Sequence, residues 1–420
     1  MSVLSFPVRL TGARILHDSG LEDHALTIAD GHISNGPARE IDMTGYDILP
    51  GIVDLHARAP VSNSLPNLPE VERDLLSRGI TTGWLAQDWG WQGGAKSPDF
   101  AEALLLGMAS YQARMTCDLR IMLRSDIHMM DSEHRFLTLL RQYDINAVLF
   151  VDHVNTPALP SDDELRRIAE GLRARGDEVH RHLCNLAHAF DVLNVRSGSY
   201  GDRDGQSRER LAMMGAKICA APEAVGAAAV ARAWGDPVLM PARGVMSGPD
   251  QPGAPVARDM ITGGMCDALI SDGAPEAMHR AALHLWDTGT LPLAGAWSLI
   301  SARPAQTMGL QDRGVLVPGA RADLVVLHRA SRRIAATMAQ GRWVWRAPDI
   351  APSCIAPSCI APSCIAPSCI APTNIAPPNR DVWFGAVPNL RRAVDPIGPV
   401  AVTPAPDDTP APGETQPITE

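Results

Sequence analysis

Between Ile48 and about Pro304 the sequence alternates eight short apolar runs with longer stretches of helical period. The runs are Ile48–Leu55, Thr81–Leu85, Leu119–Leu123, Ala147–Val151, Val192–Val195, Ala216–Ala220, Pro237–Met240 and Ala268–Ile270. Between them, Pro98–Gln112, Ser132–Tyr143, Asp162–Ala174 and Pro275–Thr288 carry the spacing of amphipathic helices. Eight strand-plus-helix units in about 250 residues predict an α/β fold built on a (β/α)8, TIM-like barrel. A doubly wound sheet would use fewer strands and a Gly-rich first turn, and no GxGxxG follows a strand here.

The flanks have a different texture. Val8–Leu10, Ala13–Leu16, Ala25–Ile28 and His32-Ile33 read as short strands, as do Gly314–Gly319, Ala322–Leu327 and Gly341–Trp345. Strands before and after the barrel pair most simply with each other. The expected organisation is therefore a small β-sandwich from residues 1–50 and 308–346, with the barrel over 51–307. Residues 347–420 hold 16 of the 35 prolines and form a different material. APSCI occurs four times there, then APTNI and APPN, and a proline every five residues blocks both helix and ladder. This segment is expected to be an extended, solvated, polyproline-like linker ending in a disordered acidic tail at Thr403–Glu420. Only Asp381-Val382-Trp383-Phe384 is aromatic enough to dock, and its partner is not specified.

Charge and cysteine usage bound the partners. With 37 basic and 47 acidic side chains the net charge is −10, and no basic run occurs. That argues against nucleic acid and against a polybasic membrane anchor. No stretch reaches about 18 apolar residues, and the start MSVLSFPVRLTGARIL lacks the pattern of a secretory leader. Cys117, Cys184, Cys219 and Cys266 are scattered in apolar segments and read as buried free thiols, so a reducing, cytoplasmic location is expected. A homo-oligomer stays open.

Chemistry in such a barrel sits where strands end and loops begin. After the first run comes Leu-Pro-Gly-Ile-Val-Asp-Leu-His-Ala-Arg, Leu49 to Arg58. His56 is placed to ligate a metal or to act as a base, with a satisfied structural histidine as the alternative. Arg58, two residues on, cannot join it as a ligand, because guanidinium only donates. Arg124 and Asp126 follow the third run, with His128 close behind, and suit either phosphate binding or a structural ion pair. Asp152-His153 follows the fourth run and could ligate or relay protons. Arg196-Ser197-Gly198-Ser199 follows the fifth, with Asp202 and Asp204 nearby, and Arg243 follows the seventh. Asp272, after the eighth, is the leading candidate for a catalytic carboxylate. His180, His182 and His188 lie on a helical segment and face outward, as a structural set.

Together these segments resemble the amidohydrolase superfamily. Its opening signature is similar to Leu-Pro-Gly-Ile-Val-Asp-Leu-His, and its closing one to Ser301–Leu310 followed by Gly314…Pro318-Gly319-Ala320-Arg321-Ala322-Asp323. Leu123–Asp126, Phe150–His153, Pro237–Met240, Ile270–Asp272 and Leu310–Gly314 resemble, more narrowly, its branch of triphosphate diphosphatases in carbon–phosphorus bond breakdown. The resemblance covers about residues 8–346. It implies a hydrolase in which a divalent ion (Zn, Mn or Fe) activates water to release pyrophosphate from a sugar 5-phosphate. By position, His56 and Asp272 match metal ligands, Asp152 and His153 the fourth-strand motif, and Arg124 a phosphate-binding arginine. Arg58 stands where a second ligand is expected, and Ser197 where a histidine is expected. Arg58, Arg124, Arg196 and Arg243 could instead form an anion cradle for a small phosphorylated substrate. Two alternatives remain: a non-catalytic relative that binds a phosphorylated ligand or a protein, and a hydrolase of a non-peptide carbon–nitrogen bond.

Overall fold

The computed structural model describes residues 7–59, 62, 64–155, 161–248, 254–353 and 355. All of these lie in the compact unit Met1–Pro367. Its centre is a parallel barrel of eight strands: β1 (Ile52–Ala57), β2 (Ile80–Trp89), β3 (Asp118–Asp126), β4 (Ala147–Val151), β5 (Arg196–Tyr200), β6 (Cys219–Ala220), β7 (Val238–Pro241) and β8 (Ala268–Ile270). They pair in sequence order. The gap between β8 and β1 is bridged at the C-terminal end, where the Asp272 N–H donates to the His56 carbonyl (3.1 Å). Alternate residues fill the interior, among them Val53, Leu55, Trp84, Met122, Leu149, Ile218, Leu239 and Ile270. Helices bury their apolar faces on the outside, with Leu104, Leu140, Leu186 and Leu285 in that layer.

Both chain ends build the second body. Tyr46–Pro50 pairs antiparallel with Leu324–His328 at the middle of a six-stranded sheet. A four-stranded sheet ordered His32–Ser34, Leu26–Ala29, Val8–Thr11, Arg39–Asp42 packs against it over Leu10, Ile28, Ile48, Leu324 and Met338. The short strands Gly20–Asp23 and Arg39–Asp42 carry too few apolar residues to be read from sequence.

Several expectations are corrected. Ile48–Leu55 is not one strand: it breaks at Gly51, and its halves join different sheets. A side chain at Gly51 would meet Thr81 Oγ1 at 2.3 Å, so only glycine lets the chain cross there. Val192 and Leu193 end the helix Gly176–Leu193 instead of forming a strand. Asn194, left-handed at φ 53°, terminates that helix, and β5 begins at Arg196. Cys117, Cys219 and Cys266 are buried, but Cys184 is exposed on a helix. The first repeat is not simply solvated, because Ile355 is buried in the sandwich core and Tyr46 donates to the Ile350 carbonyl. The remaining repeats, Asp381–Phe384 and the acidic end lie outside the described residues. No helix among the described residues is long and apolar enough to cross a membrane.

At the base of the barrel Asp118 ties the returning chain to β3. It accepts from Arg120 (2.9 Å) and from Arg313 Nη1 (2.6 Å). Burial alone would raise its carboxyl, but these hydrogen bonds and charges outweigh burial and hold it at about 2. A depressed carboxyl stabilises the fold above its unfolded value near 3.8, and that share is lost as pH falls toward 2. Asp118→Asn is therefore expected to remove about 2 kcal/mol of acid-dependent stability. Denaturant titrations at pH 5 and pH 2.5 should show wild type losing that much more than the variant, and parallel losses would contradict it.

Candidate functional site

Two polar clusters stand at the C-terminal end of the barrel. The first surrounds Asp272, which follows β8 in a left-handed conformation (φ 46°) that few non-glycine residues adopt. A register shift near the end of β1 accompanies the turning of His56 toward it. His56 Nδ1 lies 3.2 Å from Asp272 Oδ1, off the line of a well-formed hydrogen bond. The Tyr200 hydroxyl donates to the same oxygen at 2.9 Å. The Tyr200 ring stacks on His56, with centroids 4.8 Å apart and planes 18° apart, and the Arg124 guanidinium lies over Tyr200 at 4.4 Å. Arg124 forms a buried ion pair with Asp88, its in-register neighbour on β2, at 3.0 Å. Arg58 Nη1 and Arg243 Nη2 approach opposite oxygens of Asp272, each at 3.8 Å, and are the solvent-facing members of the cluster.

The electrostatics follow from this packing. Burial lowers the proton affinity of His56; Asp272 opposes this, while the charges of Arg124 and Arg58 add to it, so the ring is neutral near pH 7. Burial would raise Asp272, but His56, Tyr200 and Arg58 together hold it below the ordinary carboxylate range. Tyr200 is pushed up by burial and by the Asp272 charge, so its hydroxyl stays a donor. Asp54, fully buried beneath, accepts from the His56 and Ser271 backbone N–H groups and fixes where the two strands meet.

The second cluster surrounds Asp126 at the end of β3. One of its oxygens accepts from the His128 backbone N–H (3.0 Å) and lies 3.2 Å from His128 Nδ1. The other accepts from the His153 N–H (3.0 Å) and from Trp91 Nε1 (3.2 Å), and lies 3.1 Å from His153 Nδ1. Burial would raise this carboxyl, but the His128 and His153 contacts hold it strongly down. Asp152 does not serve His153. It accepts from the backbone and side chain of Asn155 (2.9 Å each) and faces Arg203 at 3.6 Å.

Two sequence candidates fall elsewhere. Arg196 and Ser197 begin β5, so they sit at the opposite end of the barrel from the mouth. Arg196 donates to the Thr307 carbonyl and Ser197 to the Gly215 carbonyl. The shift arises because β5 starts after the run read as the fifth strand. The fifth-strand residue at the mouth is Tyr200, which sequence reasoning missed. Asp204 caps the helix Gly205–Met213, and Asp202 accepts from the buried Ser199 hydroxyl, so neither reaches the mouth. His182 does not face outward: it is buried in the helix layer, 2.6 Å from Glu133.

A parallel eight-stranded barrel with titratable groups gathered where its strands end is the architecture of barrel enzymes. Residues 153–346 match a family model described as the amidohydrolase family, so this part of the chain is similar to the amidohydrolase superfamily. The alpha-D-ribose 1-methylphosphonate 5-triphosphate diphosphatase of Escherichia coli K12 is 36% identical over 165 residues, 39% of this chain and 43% of that protein. An adenine deaminase of Lactiplantibacillus plantarum is 26% identical over 366 residues, 80% of this chain and 59% of that protein. The chain thus spans less than two-thirds of the length of either curated relative. A D-hydantoinase crystal structure superposes with a TM-score of 0.59 at 14% identity, over 81% of this chain and 95% of that one, which shows the shared fold.

Members of this superfamily usually use divalent metals. The donor set at this mouth does not fit one. A catalytic ion takes three or more deprotonated nitrogen, sulfur or oxygen donors from the protein. Here His56 and Asp272 contact each other directly, and Tyr200 points its proton at Asp272. The Arg58 guanidinium stands 3.8 Å from Asp272, and a cation that close repels a divalent ion by several kcal/mol even at an effective dielectric near 20.

Proposed function

We propose that the barrel mouth binds a phosphorylated small molecule through Arg58 and Arg243, and that the chain hydrolyses it with release of pyrophosphate. The observation that carries this reading is the convergence of the two solvent-facing guanidiniums on Asp272. Asp272 is already engaged by Tyr200 and His56, so it serves as the fixed counter-charge that aims both forks. Phosphate oxygens match the planar guanidinium fork in paired hydrogen bonds. Arg124 takes a supporting part, because its charge is spent on Asp88 and on the Tyr200 face. The similarity to a triphosphate diphosphatase supports the phosphoanhydride as the bond broken. Anion recognition by Arg58 and Arg243 replaces the metal as the source of charge stabilisation at the leaving pyrophosphate.

A second reading, binding without turnover, is favoured by the same saturation of Asp272, since a depressed carboxylate accepting a phenol proton is a poor base. Incubating the full chain with ribose 5-triphosphate and following pyrophosphate by phosphorus NMR separates the two. Turnover that falls about 100-fold or more in Asp272→Asn supports hydrolysis. Tight binding without pyrophosphate supports the second reading, and neither binding nor release refutes both.

A further inference from the structure

A cavity of about 200 Å3 lies between the β-sandwich and the outer helices of the barrel, and it shares no lining residue with the mouth. Its buried floor is apolar, with Leu49 of the strand Tyr46–Pro50, Trp286 of the helix Ala277–Asp287, and Leu293. Its partly exposed rim is cationic, from Arg14, Arg329 and Arg332. Arg332 stands in the turn between Leu324–His328 and Ile334–Ala339 at φ 55°, a left-handed conformation that few non-glycine residues adopt. Its guanidinium pairs with Asp287 and lies over the Trp286 ring, 4.7 Å from the centroid.

The rim is short of negative charge at one position. Arg14 takes both oxygens of Asp47, at 2.7 Å each, and Asp23 adds to its neutralisation. Arg329 reaches the same Asp47 with Nε at 3.2 Å and the Tyr46 carbonyl with Nη2 at 3.3 Å. One carboxylate thus serves two guanidiniums, and Arg14 holds the better share. Arg329 Nη1 and Arg332 Nη2 make no hydrogen bond among the described residues. An apolar hole of about 150 Å3 holds a benzene ring, so this cavity has room for one ring and a small polar group. A bare anion would leave the apolar floor uncovered, and a neutral ring would leave Arg329 without its counter-charge.

We propose that this cavity binds a small aromatic carboxylate, its ring against Leu49, Trp286 and Leu293 and its carboxylate on Arg329 and Arg332. The planar fork of a guanidinium matches a carboxylate in paired hydrogen bonds, and aromatic pairs add to burial of the ring.

Titrating benzoate into the full chain at low salt, with heat as the readout, tests this. One equivalent is expected to bind, at least about tenfold more tightly than acetate, which lacks the ring, or benzyl alcohol, which lacks the charge. Arg329→Gln should weaken benzoate about tenfold, and Asp47 keeps Arg14 in that variant. If the variant does not fold, the three ligands on wild type decide the matter alone. No binding at millimolar benzoate overturns the proposal, as does undiminished affinity in folded Arg329→Gln. Acetate or inorganic phosphate binding as tightly as benzoate refutes the aromatic carboxylate. Displacement of benzoate by pyrophosphate would place it at the barrel mouth and refute the separate site.

Discussion

Replacing Arg58 and Arg243 together with alanine is expected to weaken pyrophosphate binding by about 100-fold, with each single change giving about tenfold. A charge-assisted hydrogen bond contributes roughly 1.5–3 kcal/mol, and the lower end applies to half-exposed side chains screened by solvent. About 1.4 kcal/mol is one factor of ten in affinity. Both guanidiniums are at least a third exposed and lie 3.8 Å from Asp272. The fold should tolerate the change, since Asp272 keeps Tyr200 and His56. Isothermal titration of pyrophosphate at low and high salt checks this. Wild type should lose affinity steeply with salt and the double variant should not. Equal affinities would remove Arg58 and Arg243 from recognition.

Arg208→Ala is expected to destabilise the chain by about 3–5 kcal/mol, more than the loss of the Asp118 carboxylate at the barrel base. Arg208 is completely buried. Its guanidinium pairs with Asp236 and donates to the Ser199 hydroxyl (2.7 Å) and the Ala216 carbonyl (2.9 Å). Truncation leaves Asp236 as a buried charge without a cation and opens a void under β5. Because Ser199 precedes Tyr200, the same change should loosen the aromatic stack on His56. Arg208→Leu combined with Asp236→Leu removes both charges and should recover much of the stability, since an apolar pair carries no desolvation cost. Denaturant midpoints of the three proteins at pH 7 decide it. A loss below about 1 kcal/mol in Arg208→Ala would show that the network is not a buried ion pair in solution.

The barrel was legible because burial on both faces makes parallel strands continuous apolar runs, as Ala147–Val151 shows. β5 was not legible for the complementary reason. Arg-Ser-Gly-Ser-Tyr has no apolar pattern, and Gly198 is there because a side chain would meet the Ile218 carbonyl at 2.6 Å. Local β propensity at Val192 pointed to a strand, but helix packing over Leu183, Leu186 and Phe190 carries the segment through Leu193. The misplaced strand put Arg196 and Ser197 at the mouth and hid Tyr200. His56, Arg58, Arg243 and Asp272 were read at strand ends from where the apolar runs stop, and in the structure they lie together around Asp272. That reading could not show that His153 answers to Asp126, 27 residues away, instead of to Asp152 beside it. Pairings of that kind depend on the register of β3 with β4, which no local pattern encodes.

On the proposed reading, arginines and not a bound metal hold phosphate groups at this mouth. Titrating pyrophosphate into chelator-treated full-length protein tests it most directly. The arginine account predicts that one equivalent binds with unchanged affinity after metal removal, and that Arg58→Ala weakens it about tenfold. Binding that vanishes on chelation, returns with zinc or manganese, and ignores Arg58→Ala would contradict it.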